Sequence, residues 1–81
     1  MARIILPSNL AELTGGETEL ELAAGNVRQL FELLGERYPQ LRIYLEADFG
    51  VAIDGETYQD ALLQPIGSGS EVILFPKIAG G

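Results

Sequence analysis

The chain has 81 residues, of which 47% are hydrophobic and 21% are charged, a balance typical of one compact soluble domain. Twelve acidic residues outnumber five basic ones and give a net charge of −7, so binding to nucleic-acid phosphates is not expected. Cysteine and histidine are both absent, which removes disulfides, thiolate nucleophiles, soft metal sites and the usual general base. Catalysis by this chain alone is therefore not expected.

Two short runs near the start of the chain predict a β-hairpin. Residues Arg3 to Leu6 are apolar and partly β-branched, and Pro7 ends the run because proline cannot donate to a strand ladder. Residues Glu17 to Leu22 alternate glutamate with threonine or leucine, which is the period of a strand with one buried face. Gly15 and Gly16 lie between the two runs and predict the turn.

The next segment has the period of an amphipathic helix. Its apolar positions recur at helical spacing and form one stripe: Val27, Leu30, Phe31, Leu34 and Tyr38. Asn26 is the expected N-cap, with Gln29 placed as in a capping box. Pro39 ends the helix, because the residue before a proline is pushed out of the helical region. An aromatic stripe of this kind is core, so we expect no binding role for Phe31 or Tyr38.

The second half of the chain predicts three more strands. Val51 to Ile53 is a short strand, and the Asp54-Gly55 pair is a tight turn that leads to a return strand at Glu56 to Tyr58. A loop rich in glycine and serine at residues 67–70 precedes the last strand, Glu71 to Phe75.

Two stretches have no clear strand or long helix. Residues 41–49 fit a helical turn or a loop, and residues 59–63 fit a helical or 3₁₀ turn. The remaining elements follow the order β-β-α-β-β-β in a single domain spanning residues 1–81. We therefore predict an α+β fold of the β-grasp (ubiquitin-like) type, a mixed sheet of about four to five strands with one main helix packed across one face.

The last strand is apolar at both its odd and its even positions, although a strand with one solvated face should alternate polar with apolar residues. With Val72 and Leu74 facing the helix, Ile73 and Phe75 point outward, and Ile5 repeats the pattern in the first strand. This indicates either an exposed apolar patch that binds a partner or a central strand buried on both faces. The acidic surface likewise fits either a partner with a basic surface or a solvated coat that keeps the protein soluble.

The last two residues of the sequence are Gly80 and Gly81. A terminal glycine has no β-carbon beside its carboxylate, so such an end can thread a narrow active site. We expect residues 77–81 to form a flexible C-terminal tail and the Gly81 carboxylate to be the reactive group. A cloning scar is the alternative explanation for the two glycines.

These features together resemble the MoaD/ThiS family of ubiquitin-like sulfur carriers. The resemblance covers the whole chain and rests on the order of elements, the Leu13-Thr14-Gly15-Gly16-Glu17 turn and the run from Gly69 to Gly81. Three segments depart from the family pattern. The turn before the last strand is Ser-Gly-Ser-Glu-Val instead of Asp-Gly-Asp-Glu-Val, Lys77 replaces a second proline, and Ile53-Asp54-Gly55 replaces Val-Asn-Gly.

The resemblance implies a reaction carried by the C-terminus. An E1-like adenylating enzyme would use ATP to adenylate the carboxylate that follows Gly80, and a sulfur donor would then convert Gly81 to a thiocarboxylate. The chain itself would be a carrier and not an enzyme, and would bind no cofactor or metal. The residues expected to contact its partners are Ile5, Ile73, Phe75, Pro76, Lys77, Ile78 and Ala79.

The resemblance leaves the sulfur acceptor open. The chain length and the Phe75-Pro76 pair favour molybdopterin biosynthesis, with the large subunit of molybdopterin synthase as the acceptor. The Leu-Thr-Gly-Gly turn is closer to carriers of cysteine biosynthesis, and carriers of thiamine biosynthesis are usually shorter. A ubiquitin-like modifier joined through Gly81 to lysines of other proteins is a further alternative.

Two interpretations involve no sulfur transfer. The domain could be a noncovalent interaction module that binds through its apolar sheet face. An enzyme would have to use Asp54, Glu56 and Asp60, but acids around an Asp-Gly turn are more typical of turn formation and solvated charge. No run approaches the roughly 20 apolar residues that span a bilayer, so we expect a cytoplasmic protein with no membrane partner.

Overall fold

The computed structural model describes residues 1–58 and 62–77. Within these residues the elements follow in chain order as β1 (Ala2–Ile5), β2 (Glu19–Leu22), α1 (Val27–Arg37), α2 (Arg42–Asp48), β3 (Phe49–Ile53), β4 (Glu56–Tyr58) and β5 (Glu71–Pro76). Short 3₁₀ helices at Ser8–Leu10 and Pro39–Leu41 precede β2 and α2.

The last strand lies at the centre of the sheet, whose order is β2-β1-β5-β3-β4. β1 pairs antiparallel with β2, and β3 pairs antiparallel with β4, so both predicted hairpins are present. β5 joins them by running parallel to β1, with Val72 opposite Ile4, and antiparallel to β3, with Leu74 opposite Val51. The sheet is therefore mixed.

α1 covers one face of this sheet. Its stripe residues Val27, Leu30 and Leu34 are at most 1% exposed. The sheet residues of the same core are equally buried: Ile4, Val51, Val72 and Leu74. Burial of this apolar surface is the main stabilising contribution to a domain of this size. The predicted β-grasp architecture is confirmed, and Phe31 and Tyr38 belong to the packing of α1 as expected.

The ends of α1 follow the local sequence signals. Asn26 Oδ1 accepts a hydrogen bond from the Gln29 N–H at 2.8 Å, which satisfies one of the free donors of the first turn. Gln29 Oε1 reaches back in turn, but it accepts from the Gly25 N–H at 2.6 Å rather than from Asn26. At the other end, the helix stops at Arg37, just before the Tyr38-Pro39 pair.

A second helix occupies the segment that sequence patterning left open. α2 buries Leu45, and Leu41 and Phe49 on either side of the helix are buried with it. The two strands of the first hairpin also differ from the prediction by one or two residues. β1 begins at Ala2, and β2 begins at Glu19 rather than Glu17. Of the predicted turn at 59–63, residues 59–61 lie outside the described residues.

Glu17 lies just before β2, and its side chain joins a polar cluster at the end of α1. The Tyr38 hydroxyl donates to Glu17 Oε1, and Arg37 Nη2 lies 3.2 Å from both carboxylate oxygens. The hydrogen bonds from Tyr38 and then from Arg37 lower the pKa of the Glu17 carboxyl. Burial, followed by the hydrogen bond to Glu17, raises the pKa of the Tyr38 hydroxyl.

We expect the Tyr38→Phe variant to show a weaker loss of stability in acid than the wild-type protein. The folded-state pKa of Glu17 is depressed, so its contribution is present above the unfolded value of about 4.3 and is lost as the pH falls through the folded value. Phenylalanine keeps the ring but cannot donate to Glu17. The difference in urea midpoint between the two proteins should therefore narrow from about pH 6 to about pH 3. A difference that stays constant over this range would contradict the assignment.

Candidate functional site

The sheet face opposite α1 has an apolar centre. The strand registers place Ile5 beside Ile73 and Ile73 beside Ala52, which forms one row across β1, β5 and β3. Ile73 is 38% exposed, and Ile5 and Ala52 are half-buried. The outward parity predicted for the last strand is therefore confirmed, and the alternative of a strand buried on both faces is wrong. Ile5, Ala52, Ile73 and Phe75 are called the docking face below.

The Phe75 ring lies across the sheet over Gly50, the residue opposite it on β3. A Cβ atom added at Gly50 would stand 2.8 Å from Phe75 Cζ and 2.7 Å from the Tyr58 carbonyl oxygen. Both distances are shorter than any ordinary carbon contact, so only glycine leaves room for the ring here. Phe75 is consequently half-buried although it points away from the core. Sequence patterning missed Gly50, because its role depends on which residue lies opposite it.

The end of β5 is tied to the end of α2. The Lys77 N–H donates to the Asp48 carbonyl oxygen at 2.8 Å, one residue beyond the pairing of Pro76 with Phe49. A proline at position 77, as in the family pattern, has no N–H and could not make this bond. Pro76 is exposed and Lys77 is half-buried. Lys77 is thus an anchored residue, which refines the expectation of a flexible tail over residues 77–81.

The remaining site residues predicted at this end follow Lys77. Ile78, Ala79, Gly80 and Gly81 lie outside the described residues. Their contacts with partners and the reactive carboxylate of Gly81 therefore stay predictions.

Charged side chains border the docking face along the β2 side and at the start of β5. Arg3 Nη2 lies 2.7 Å from Glu19 Oε2, and Arg3 Nη1 lies 3.8 Å from Glu71 Oε2. Glu21 is opposite Arg3 in the β1–β2 register. The hydrogen bond and charge of Glu19 raise the pKa of the Arg3 guanidinium. We call Glu19, Glu21 and Glu71 the acidic edge; these three carboxylates surround a single guanidinium.

Two of the three acids considered for an enzyme have structural partners. Asp54 Oδ1 accepts from the Glu71 N–H at 2.9 Å, and this hydrogen bond lowers the pKa of Asp54. The Tyr58 hydroxyl donates to Glu56 Oε2 at 2.8 Å, which raises the pKa of Tyr58. Asp60 lies outside the described residues. Asp54 thus ties the β3–β4 turn to β5, and the contact of Glu56 is local to β4, which supports the interpretation of these acids as turn-forming and solvated residues.

A groove of about 640 Å³ lies on the helical side of the molecule, away from the docking face. Its lining residues are Arg28, Phe31, Glu32, Glu36, Arg42, Leu45 and Leu62. Both of its arginines are engaged: Arg28 Nε lies 3.7 Å from Glu32 Oε1, and Arg42 Nη2 donates to the Gly35 carbonyl oxygen at 3.2 Å. Among residues 1–58 and 62–77, no group of three or more acidic, histidine or cysteine side chains could hold a metal ion. No helix in the same part of the chain is long and apolar enough to cross a bilayer.

A comparison of the sequence with protein-family models connects this geometry to a known group. The ThiS family model matches residues 4–81. The chain belongs to the ThiS family. The resemblance to MoaD/ThiS carriers inferred from sequence is thus confirmed, and the protein is a member of a group of ubiquitin-like sulfur carriers. Proteins of this ThiS type are small carriers or subunits and not catalysts themselves.

Solved structures share the fold along nearly the whole ThiS-family chain. A chain of the Amycolatopsis orientalis BexX/CysO complex matches with a TM-score of 0.84 at 20% identity, covering 100% of both chains. A putative molybdopterin converting factor, subunit 1, from Pyrococcus furiosus matches at 0.71 and 26% identity, covering 95% of this chain and 97% of that one. SAMP1 from Haloferax volcanii matches at 0.69 and 26% identity, covering 99% and 98%. A comparison with curated proteins gives no significant match.

We expect Gly50→Ala to destabilise this ThiS-family domain by about 1–3 kcal/mol, because the added methyl group overlaps the Phe75 ring and the Tyr58 carbonyl oxygen. In a Phe75→Ala background the cost should be smaller, since only the overlap with the carbonyl remains. Urea unfolding of the four proteins of this double-mutant cycle measures the coupling. Gly25→Ala is the control, because its Cβ atom would meet Gln29 Oε1 at an ordinary 3.4 Å. Equal costs of Gly50→Ala in both backgrounds would contradict the placement of the ring.

Proposed function

We propose that this protein is a sulfur carrier whose Gly81 carboxylate is adenylated by a partner enzyme and then converted to a thiocarboxylate. The observation that carries the proposal is the match of the ThiS family model through residue 81. Two structural features support it. An apolar face is open on the sheet, and Lys77, the last described residue before the glycines, follows the central strand.

The chemistry explains why a partner and ATP are needed. A terminal carboxyl group has a pKa of about 3.3–3.7, so at neutral pH it is an anion that resists nucleophiles. One of its oxygens attacks the α-phosphorus of ATP and displaces pyrophosphate, which gives an acyl adenylate. A donor at the oxidation level of sulfide then forms a C–S bond to Gly81, while the C–O bond to AMP breaks. Sulfur has replaced one oxygen of the carboxylate.

The carrier supplies the docking surface and the reach, and its partner supplies the catalytic groups. The sequence has no cysteine or histidine, so it offers neither a thiolate nor an imidazole for these steps. The ATP site, any metal ion and the bases belong to the adenylating enzyme in this scheme. The chain itself binds no cofactor, and the cycle runs in the cytoplasm, where ATP is supplied.

For the sulfur acceptor we favour the large subunit of molybdopterin synthase. The support is the 26% identity to the putative molybdopterin converting factor subunit 1 of Pyrococcus furiosus, together with the Phe75-Pro76 pair at the end of β5. The same identity to SAMP1 favours, as a second candidate, conjugation of Gly81 to lysines of other proteins. Both outcomes start from the same acyl adenylate. A carrier for cysteine biosynthesis or for thiamine biosynthesis would begin its cycle in the same way.

We expect intact-mass analysis of the protein isolated from its own cells to find a form heavier by the difference between sulfur and oxygen. Incubation with ATP and the E1-like adenylating enzymes of the source organism should produce the acyl adenylate. Removing Gly81, or adding one residue after it, should abolish both products while leaving the fold intact. A noncovalent interaction module would instead keep full partner binding in both variants. A protein that is never modified, by any of these enzymes, would overturn the proposal.

The acceptor can be tested with the thiocarboxylate form. We expect it to support molybdopterin formation when mixed with the synthase large subunit and the sulfur-free precursor, and the mass of the protein should return to that of the carboxylate. The carboxylate form is the control. Sulfur release that depends on a cysteine-forming or thiamine-forming enzyme would instead assign the carrier to that pathway. Proteins joined to Gly81 by isopeptide bonds in the cell would favour the protein-modifier function.

A further inference from the structure

We propose that the docking face receives the adenylating enzyme in one orientation, with lysine or arginine side chains of that enzyme opposite the acidic edge. The inference rests on the proposed function and adds the charge of the partner surface and the direction in which it lies. The partner surface would be apolar at its centre, where it meets Ile73 and Phe75, and basic along the side that meets Glu19 and Glu21.

The charges around the docking face are unevenly distributed. Glu19 and Glu21 lie outward on the edge strand β2, and Glu71 lies outward at the start of β5. Arg3 stands between them, already 2.7 Å from Glu19 Oε2, so one positive charge offsets three negative ones. At the opposite end of the face Lys77 lies beside the exposed Asp48, so one basic and one acidic residue stand there. The potential therefore runs from negative at one end of the face to less negative at the other, which favours one orientation of a charged partner.

The direction of β5 limits the distance between the acidic edge and the phosphate that the tail reaches. Glu21 and Glu71 lie near the start of β5, and Glu19 lies level with Ile73, so the acidic edge is about 10–17 Å from Pro76 along the strand. The Lys77 N–H is bonded to Asp48, and the four residues after Lys77 span at most about 14 Å. The basic residues of the enzyme should thus lie within about 35 Å of the α-phosphate that Gly81 attacks.

A second copy of this chain is a poor occupant of the face. Each copy has a net charge of −7, and its docking face has the same acidic edge. Two molecules that each carry this net negative charge repel each other, which opposes their association. A partner with basic residues is complementary to the face, whereas another copy is not.

The test compares two charge reversals of equal size on opposite faces. Glu19→Lys with Glu21→Lys changes the docking side, and Glu32→Lys with Glu36→Lys changes exposed positions of α1, with the same effect on the net charge. ATP–pyrophosphate exchange with the adenylating enzyme yields kcat and KM for each carrier. We expect the β2 pair to raise KM about ten-fold at low salt with kcat unchanged, and the α1 pair to change KM less than about two-fold. The rise should shrink strongly at about 0.5 M salt, where charges are screened beyond a few ångströms.

The reversal on β2 also removes the contact between Arg3 and Glu19, so folding is checked by circular dichroism and thermal unfolding. If that variant does not fold, Glu19→Gln with Glu21→Gln replaces it, with a smaller expected rise in KM. Equal changes in KM for the two reversals, or a rise in KM that does not depend on salt concentration, would overturn the inference while leaving adenylation of Gly81 intact. Dimerisation of the wild-type chain through this face, measured by sedimentation and lost in the β2 variant, would overturn it as well. Failure of every carrier to be adenylated would overturn the proposed function instead.

Discussion

Val72 and Leu74 are buried beneath α1 while their strand, β5, is hydrogen-bonded to β1 on one side and to β3 on the other. Because side chains alternate along a strand, this burial forces Ile73 and Phe75 to the opposite face. The same pairing places β5 at the centre of the sheet, and Lys77 follows it, held by the Asp48 carbonyl oxygen. The apolar face and the start of the tail are therefore both consequences of one buried strand.

A carrier of this kind separates recognition from chemistry. The described surface offers an apolar centre and a row of carboxylates, and within residues 1–58 and 62–77 no group of side chains could hold a metal ion. These features cost little folding stability. A domain of 81 residues has a small core, which leaves little stability to offset a strained or buried ionic active site. In the proposed cycle, functional specificity then depends on which enzyme fits the face and accepts the tail.

The sequence predicted most of the fold, since alternation in Glu17 to Leu22 and the helical stripe from Val27 to Tyr38 are local patterns that burial enforces. It left α2 open, a seven-residue helix that buries Leu45 between the buried Leu41 before it and the buried start of β3 at Phe49. The helical period of α2 meets the strand period of β3 there, and neither segment is long enough for its period to be recognised. For the site, the outward parity of Ile73 could be predicted. Gly50 and the Lys77 bond to Asp48 could not, because they depend on pairings between distant parts of the chain.

The hydrogen bond between the Lys77 N–H and the Asp48 carbonyl oxygen fixes the point from which the last four residues reach. Covalent geometry limits how far from this point they can extend. Residues inserted just after this bond would extend the carrier's range by about 3.3–3.6 Å each without touching the core or the docking face. A lineage could therefore adapt the same domain to enzymes with deeper or shallower channels by changing tail length, while keeping the surface that recognises them.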